Sequence, residues 1–199
     1  MAGARLWTRV PFDDSRCLIY GAGWGRFYLV DRSVPLAPVF QRVLGLRSSK
    51  LVDSIRDPVE RIELDRSRLR DHERRVPPLS ARLAYRFFHS SRGLIPLRWM
   101  TSLIHEVARR APASRTTISE LGRRVFEVEH FIGLEDCYPR AILTLYWCIR
   151  ARHPCQVLVG CLVPTRKMHV WCSSAGILPY EASPEHYMYQ PAFHLSYEP

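Results

Sequence analysis

The sequence predicts an α+β protein with two domains, a small strand-rich one at residues 1–76 and a larger mixed one at residues 79–199. Three observations predict this arrangement. Short runs of strand-forming residues occupy the first part of the chain, and amphipathic helical patterns follow them. A strand-like apolar run at residues 156–163 comes after the last helical pattern. Between the two parts, residues 65–78 are dense in charge and end in Pro77-Pro78, as a linker does.

Composition restricts the class of protein. Hydrophobic residues make up 47% of the 199 residues, which is typical of a globular chain. The formal net charge of +10 comes almost entirely from arginines spread over both halves. Such a charge fits either a solvated arginine-rich surface or attraction to an acidic peptide or nucleotide. We favour the solvated surface, because no basic patch is concentrated, and we expect no nucleic-acid partner.

The cellular location of the protein is predicted from the composition of its first residues and from the length of its apolar runs. The opening segment lacks the apolar region of a signal peptide, and no stretch has the apolar length of a membrane span. We therefore expect a cytoplasmic protein with no membrane partner. In that compartment its cysteines are expected to be free thiols.

The sequence contains six cysteines: Cys17, Cys137, Cys148, Cys155, Cys161 and Cys172. Their spacings match no zinc-binding pattern, and several lie in apolar runs, as small buried residues do. Cys155 and Cys161 would share one face of a regular strand, which favours packing over chelation. The sequence therefore predicts no metal site.

The first domain is predicted from alternating strand and helix signals. Residues 16–20 and 26–30 are rich in strand formers, and the glycine-dense residues 21–25 between them indicate a β-hairpin. A phosphate-binding loop is the less favoured alternative, because no helix follows directly and no Lys-Ser/Thr closes the glycine run. A helix is predicted over residues 34–44.

Further along, residues 51–55 are predicted as a short second helix and residues 59–64 as an edge strand. Small strands combined with short helices are typical of a winged-helix-like module, which can form at this size. A winged-helix-like domain is therefore expected over residues 1–76.

The second domain begins with three amphipathic helices, predicted over residues 79–89, 97–109 and 118–131. In the second of them Trp99, Leu103 and Val107 recur every four residues, which predicts that they face the core. Thr117 and Glu120 form a capping box that opens the third helix.

A cysteine at the start of a fourth helix is the candidate nucleophile. Asp136 can cap a helix that begins at Cys137, with Pro139 in its first turn. The positive end of the helix and its unpaired N–H groups favour the thiolate, which is the reactive form. His169 follows the strand-like run at residues 156–163 and could supply a base. By spacing alone, a cysteine at a helix start is more often an inert core residue than a catalytic one, and His169 could be a satisfied core histidine.

The order of these motifs resembles a known family. Asp136, Cys137, Arg140 and Ala141 form Asp-Cys-x-x-Arg-Ala, and an apolar helix, a Val-Leu-Val-Gly strand and His-x-Trp at residues 169–171 follow. Over about residues 123–181 the chain resembles the B proteins of lasso-peptide biosynthesis. The resemblance implies a transglutaminase-like, papain-related fold and a cysteine endopeptidase that removes the leader from a precursor peptide.

The resemblance also implies roles for individual residues. Cys137 would be the nucleophile, His169 would carry the proton, and Glu181, twelve residues after His169, would orient the imidazole. The family usually has an aspartate at that last position. Glutamate is one methylene longer but can serve the same purpose.

Partners follow from the resemblance as well. They are the leader of the precursor peptide and an asparagine-synthetase-like lasso cyclase. Residues 1–76 would recognise the leader by adding it as a strand to a sheet edge, or would instead be a structural subdomain. The family has been linked to ATP dependence, although the sequence has no Walker motif. Two other functions stay open, a transglutaminase-like acyl transferase and a non-catalytic peptide-binding scaffold.

Overall fold

A computed structural model of the chain describes residues 7–11, 15–21, 26–31, 52–53, 60–61, 76–162, 165, 167–180 and 189–198. Within these ranges the chain is α+β, as predicted. The helices are α1 (Leu79–Ser91), α2 (Leu97–Arg110), α3 (Ile118–Ile132) and α4 (Cys137–Arg150). The strands are β1 (Trp7–Pro11), β2 (Arg16–Gly21), β3 (Arg26–Asp31), β4 (Val52–Asp53), β5 (Glu60–Arg61), β6 (Cys155–Leu162), β7 (Lys167–Ser174), β8 (Ile177–Leu178) and β9 (Gln190–Tyr197).

The first sheet has the strand order β3-β2-β1-β4. The antiparallel pairing of β2 with β3 agrees with the predicted hairpin, whose connecting residues 22–25 lie outside the described ranges. The helix predicted over residues 34–44 also lies outside them. A helix over residues 51–55 was the wrong prediction, because Val52 and Asp53 form β4, parallel to β1. The winged-helix-like character of residues 1–76 stays a prediction.

The second sheet has the order β5-β8-β7-β6-β9. Strand β6 pairs antiparallel with both β7 and β9. The predicted edge strand is found here as β5, which pairs parallel with β8. Strand β5 precedes residue 76, so the first part of the chain contributes backbone hydrogen bonds to the sheet of the second part. Strand β1 also contacts β9. The domain boundary at residues 76–79 stays a prediction, but the two parts share an interface.

Helix α4 lies at the centre of the second part. Every residue from Tyr138 to Ile149 except Tyr146 is buried. One side of the helix packs against α1, α2 and α3, and another packs against β6 and β7. Because α4 is buried on all sides, its contacts with the surrounding helices and strands fix its position. The residue at its first position therefore has a well-defined location.

The core face of α2 differs from the prediction. Trp99, Leu103 and Val107 are 71%, 50% and 48% exposed, so the assignment of this stripe to the core was wrong. The buried residues of α2 are Leu97, Met100, Thr101, Ile104 and Ala108. Both stripes recur at helical spacing, so periodicity alone could not choose between them. The stripe containing Met100 faces inward because α2 packs against α4.

The predicted boundaries of the other helices are confirmed to within about two residues, the usual uncertainty of helix ends. The Thr117 side chain accepts a hydrogen bond from the backbone N–H of Glu120 at 3.3 Å, as a helix cap does. Gly133 ends α3 in the left-handed conformation, with φ of 69°. Among the helices that the structure describes, none is both long and apolar enough to cross a membrane.

Candidate active site

Asp136 holds the start of α4 in place. Its Oδ1 accepts a hydrogen bond from the backbone N–H of Tyr138 at 3.1 Å, which confirms the predicted helix cap. Its Oδ2 accepts from Arg92 at 2.9 Å and from Nδ1 of His89 at 2.8 Å. The carboxylate is only 7% exposed. A buried carboxylate needs such partners, and here they come from the end of α1 and the residue after it.

Cys137 is the first residue of α4, and its side chain is half-buried. Four other cysteines for which the structure describes the burial are buried: Cys148, Cys155, Cys161 and Cys172. Arg92 is a cation that interacts electrostatically with Cys137. Its pKa is raised by its hydrogen bond to Asp136 and by the negative charges of Asp136 and Cys137.

A buried ion pair lies behind the start of α4. The Arg140 guanidinium contacts Glu129 of α3, with Nε 3.2 and 3.1 Å from the two carboxylate oxygens and NH2 3.0 Å from Oε1. Glu129 Oε1 also accepts from the Tyr85 hydroxyl at 2.6 Å and from the backbone N–H of Asp136 at 3.2 Å. Burial and the Glu129 carboxylate raise the pKa of Tyr85 far above its ordinary value, so its hydroxyl stays a donor. The network joins α1, α3 and α4.

These contacts explain two residues of the Asp-Cys-x-x-Arg-Ala motif. Asp136 caps the helix, and Arg140 ties its first turn to α3. Sequence reasoning missed the partners Tyr85, His89 and Glu129. Tyr85 and His89 lie 51 and 47 positions before Asp136, and Glu129 lies on the preceding helix, so no local spacing connects them to the cysteine.

His169 lies in β7, opposite Gly160 of β6, and is buried. Its ring stacks on Trp171, with centroids 5.6 Å apart, and lies 4.8 Å from the ring of Tyr189. Trp171 packs with a small apolar cluster, whereas the intervening Val170 belongs to the large core around α4. Because side chains alternate along a strand, His169 and Trp171 lie on the face away from Val170.

The structure describes the places of two of the three predicted residues. Cys137 stands at the start of α4, and His169 lies on β7, the strand beside β6. The contacts described for the His169 ring are with the aromatic rings of Trp171 and Tyr189. Glu181 lies outside the described residues. The grouping of Cys137, His169 and Glu181 stays a prediction.

Comparison with known proteins gives one result for the second part of the chain. The family model described as transglutaminase-like superfamily matches residues 79–194. The match includes all of α1 to α4 and strands β6 to β8, and it leaves residues 1–78 outside. A search of curated proteins found no match, and a search of solved structures found none.

Proposed function

The chain belongs to the transglutaminase-like superfamily, and from this premise we propose that it is a cysteine peptidase that removes the leader from a ribosomally made lasso-peptide precursor. Members of the superfamily are typically cysteine peptidases or acyltransferases. One observation carries the proposal. Among the five cysteines whose burial is described, Cys137 alone is not buried, and it is the first residue of a helix that is packed on all sides.

The surroundings of Cys137 suit a nucleophile. The first N–H groups of α4 and the helix dipole favour negative charge at this position. Arg92 adds a positive charge from the end of α1. Asp136 stays engaged with Arg92 and His89, so its own charge is offset. The proposed attack on a carbonyl is made by the thiolate form of Cys137.

In the proposed reaction the Cys137 sulfur attacks the carbonyl carbon of the scissile peptide bond. The C–N bond then breaks, leaving a thioester on the enzyme and freeing the amine of the core peptide, which takes a proton from His169. Water attacks the thioester and releases the leader with a free carboxylate. The backbone N–H of Cys137 is suited to the carbonyl oxygen as charge develops there. Glu181 would orient the imidazole.

This reaction requires the His169 imidazole within hydrogen-bond distance of the Cys137 thiol when the peptide is bound. Catalytic hydrogen bonds often form at full strength only in the substrate complex. His89 is the alternative base, since its Nδ1 donates to Asp136 and its Nε2 is left to accept a proton. Asp136 holds His89 as the third member of a catalytic triad holds its histidine.

Residues 1–76 are the proposed leader-recognition element. Strand β3 is an outer strand of the first sheet among the strands that are described. An outer strand offers unpaired backbone groups to which an extended peptide can add. The freed core peptide would then pass to an asparagine-synthetase-like cyclase, and any ATP requirement could belong to that partner.

The test is incubation of the precursor peptide with the full-length protein and with Cys137→Ala, followed by mass spectrometry of the products. We expect no core peptide from Cys137→Ala, while the matched control Cys161→Ala, a buried cysteine on β6, should cleave normally. Core peptide released by Cys137→Ala at the wild-type rate would remove Cys137 from the mechanism. His169→Ala should also abolish cleavage, and retained cleavage there with loss in His89→Ala would assign the base to His89.

The acyl-transferase alternative rests on the same thioester, and the products separate the two. Hydrolysis leaves the leader with a free carboxylate, whereas transfer to an added primary amine leaves an amide of higher mass. An amide as the main product would favour the acyl transferase. Binding of the precursor with no new product of either kind would favour the non-catalytic scaffold.

A further inference from the structure

Three cysteines from separate elements meet in the core. The Sγ atoms of Cys148 in α4, Cys155 in β6 and Cys172 in β7 all lie within 4.8 Å of one another. Their residues are 0%, 5% and 3% exposed. We propose that this cluster, the thiol triad, is a closed binding site for a thiophilic d¹⁰ metal ion, Zn²⁺ or Cu⁺. The proposal does not depend on the peptidase reaction.

The spacing of the sulfurs suits a shared ion. Zinc binds thiolate at about 2.3 Å, which places sulfurs around one ion roughly 3.8 Å apart in a tetrahedron. The sulfurs of the thiol triad need to contract by about 1 Å at most to reach that spacing. Sequence spacing did not predict this site, since the three cysteines come together only through packing of α4 on β6 and β7.

The strand register argues against a simple disulfide between the two strand cysteines. Cys155 lies opposite Ser174, and Cys172 lies opposite Val157, so Cys155 and Cys172 are diagonal neighbours. Diagonal Cα atoms are about 7–8 Å apart, whereas disulfides join Cα atoms at about 4.4–6.8 Å. A disulfide between Cys155 and Cys172 would therefore require the backbone to move. A metal ion can bridge the two sulfurs without that movement.

His153 is suited to be a fourth ligand. Its Nε2 lies 2.7 Å from the carbonyl oxygen of Thr116, and a carbonyl only accepts, so Nε2 carries the proton. In the neutral imidazole the lone pair is then on Nδ1. A metal-binding histidine commonly donates its other N–H to a carbonyl in this way. The backbone N–H of His153 donates to the carbonyl of Cys148 at 3.0 Å, so the residue is next to one member of the thiol triad. Its ring nitrogens lie outside the 4.8 Å cluster of sulfurs, so the ring would have to move towards them when the ion binds.

Binding of the metal ion releases the protons of the three thiols. Three neutral thiols and Zn²⁺ give a Zn(thiolate)₃ unit of charge −1 and three protons, and a neutral His153 adds no charge.

The position of the site in the fold indicates a structural role. It would tie the last turn of α4 to the sheet, while Asp136 and Arg140 hold the first turn at the other end.

The experiment measures metal bound to the full chain, purified anaerobically in a Cys137→Ser background that removes the half-buried thiol. Metal-free protein is titrated with Co²⁺ as the probe for Zn²⁺, followed by its sulfur-to-cobalt absorption, and separately with Cu⁺. We expect one ion per chain. Cys148→Ala and Cys172→Ala should lose it, while Cys161→Ala, a buried cysteine of the same sheet outside the thiol triad, should bind normally.

The two ions are distinguished by His153→Gln. This change should weaken Co²⁺ and Zn²⁺ binding by at least about tenfold and leave a three-sulfur Cu⁺ site unchanged. If the cysteine variants do not fold, X-ray absorption of the wild-type complex decides, with three sulfurs at about 2.3 Å from zinc expected. The proposal would be overturned if the protein bound no ion, if the ion had one sulfur neighbour or none, or if Cys172→Ala bound the ion as well as the parent protein. It would also be overturned if the mass of the native protein were lower by two hydrogens per disulfide, since the cysteines would then be oxidised.

Discussion

Replacing Arg140 with methionine tests the ion pair behind the candidate active site. Arg140 and Glu129 have side chains that are 6% and 1% exposed, and three N–O contacts of 3.0 to 3.2 Å join them. Methionine keeps much of the length of the arginine side chain but cannot neutralise the carboxylate. Glu129 would be left as a buried charge without a cation, with neutral donors such as the Tyr85 and Tyr180 hydroxyls and the Asp136 N–H around it.

The magnitude follows from that burial. Removing one partner of a buried ion pair costs about 3–5 kcal/mol, because the other charge stays away from water. A domain is stable by about 5–15 kcal/mol, so the loss would be a large share of the total. Glu129→Gln removes the charge and keeps an acceptor oxygen for the neutral donors. In the double variant we therefore expect Glu129→Gln to recover about 2 kcal/mol or more of the loss caused by Arg140→Met.

The assay is urea unfolding followed by tryptophan fluorescence, with the free energy of unfolding taken from the midpoint. Arg124→Met is the matched control. Arg124 pairs with Glu120 at 3.2 Å on the surface of α3, with 43% of its side chain exposed. A surface pair contributes under about 1 kcal/mol. If Arg140→Met cost no more than Arg124→Met, the buried pair would not stabilise the start of α4 and the reasoning would be refuted.

Two further predictions concern helices α2 and α3. Met100→Ala should cost about 2–5 kcal/mol in urea unfolding and Trp99→Ala under about 0.5 kcal/mol, since the side chains are 0% and 71% exposed; equal losses would contradict the observed face of α2. The hydrogen bond from Arg123 holds the pKa of Glu120 below its ordinary value of 4.5. Glu120 therefore stabilises the fold above that pH and loses this effect as the pH falls through its folded pKa. Glu120→Gln should be less stable than wild type at neutral pH by under about 1 kcal/mol, and a difference that persisted at the acid end would contradict this origin.

Local signals in the sequence determined the elements of the second part of the chain. Asp136 before Cys137 and Thr117 before Glu120 marked two helix starts, and both caps are present. These features involve residues a few positions apart, so their chemistry is contained in the local sequence. The apolar run at residues 156–163 likewise marked β6. The α+β class follows from such elements.

Only tertiary structure decided which surfaces and side chains meet. Two apolar stripes of α2 had the same period, and packing on α4 chose the one with Met100. Strand β5 was expected in the first domain and pairs with β8 of the second sheet. The partnership of Arg140 with Glu129 and the convergence of the thiol triad link residues on different elements. Contacts of this kind depend on how finished helices and strands pack, and a pattern along one segment carries no information about its partner.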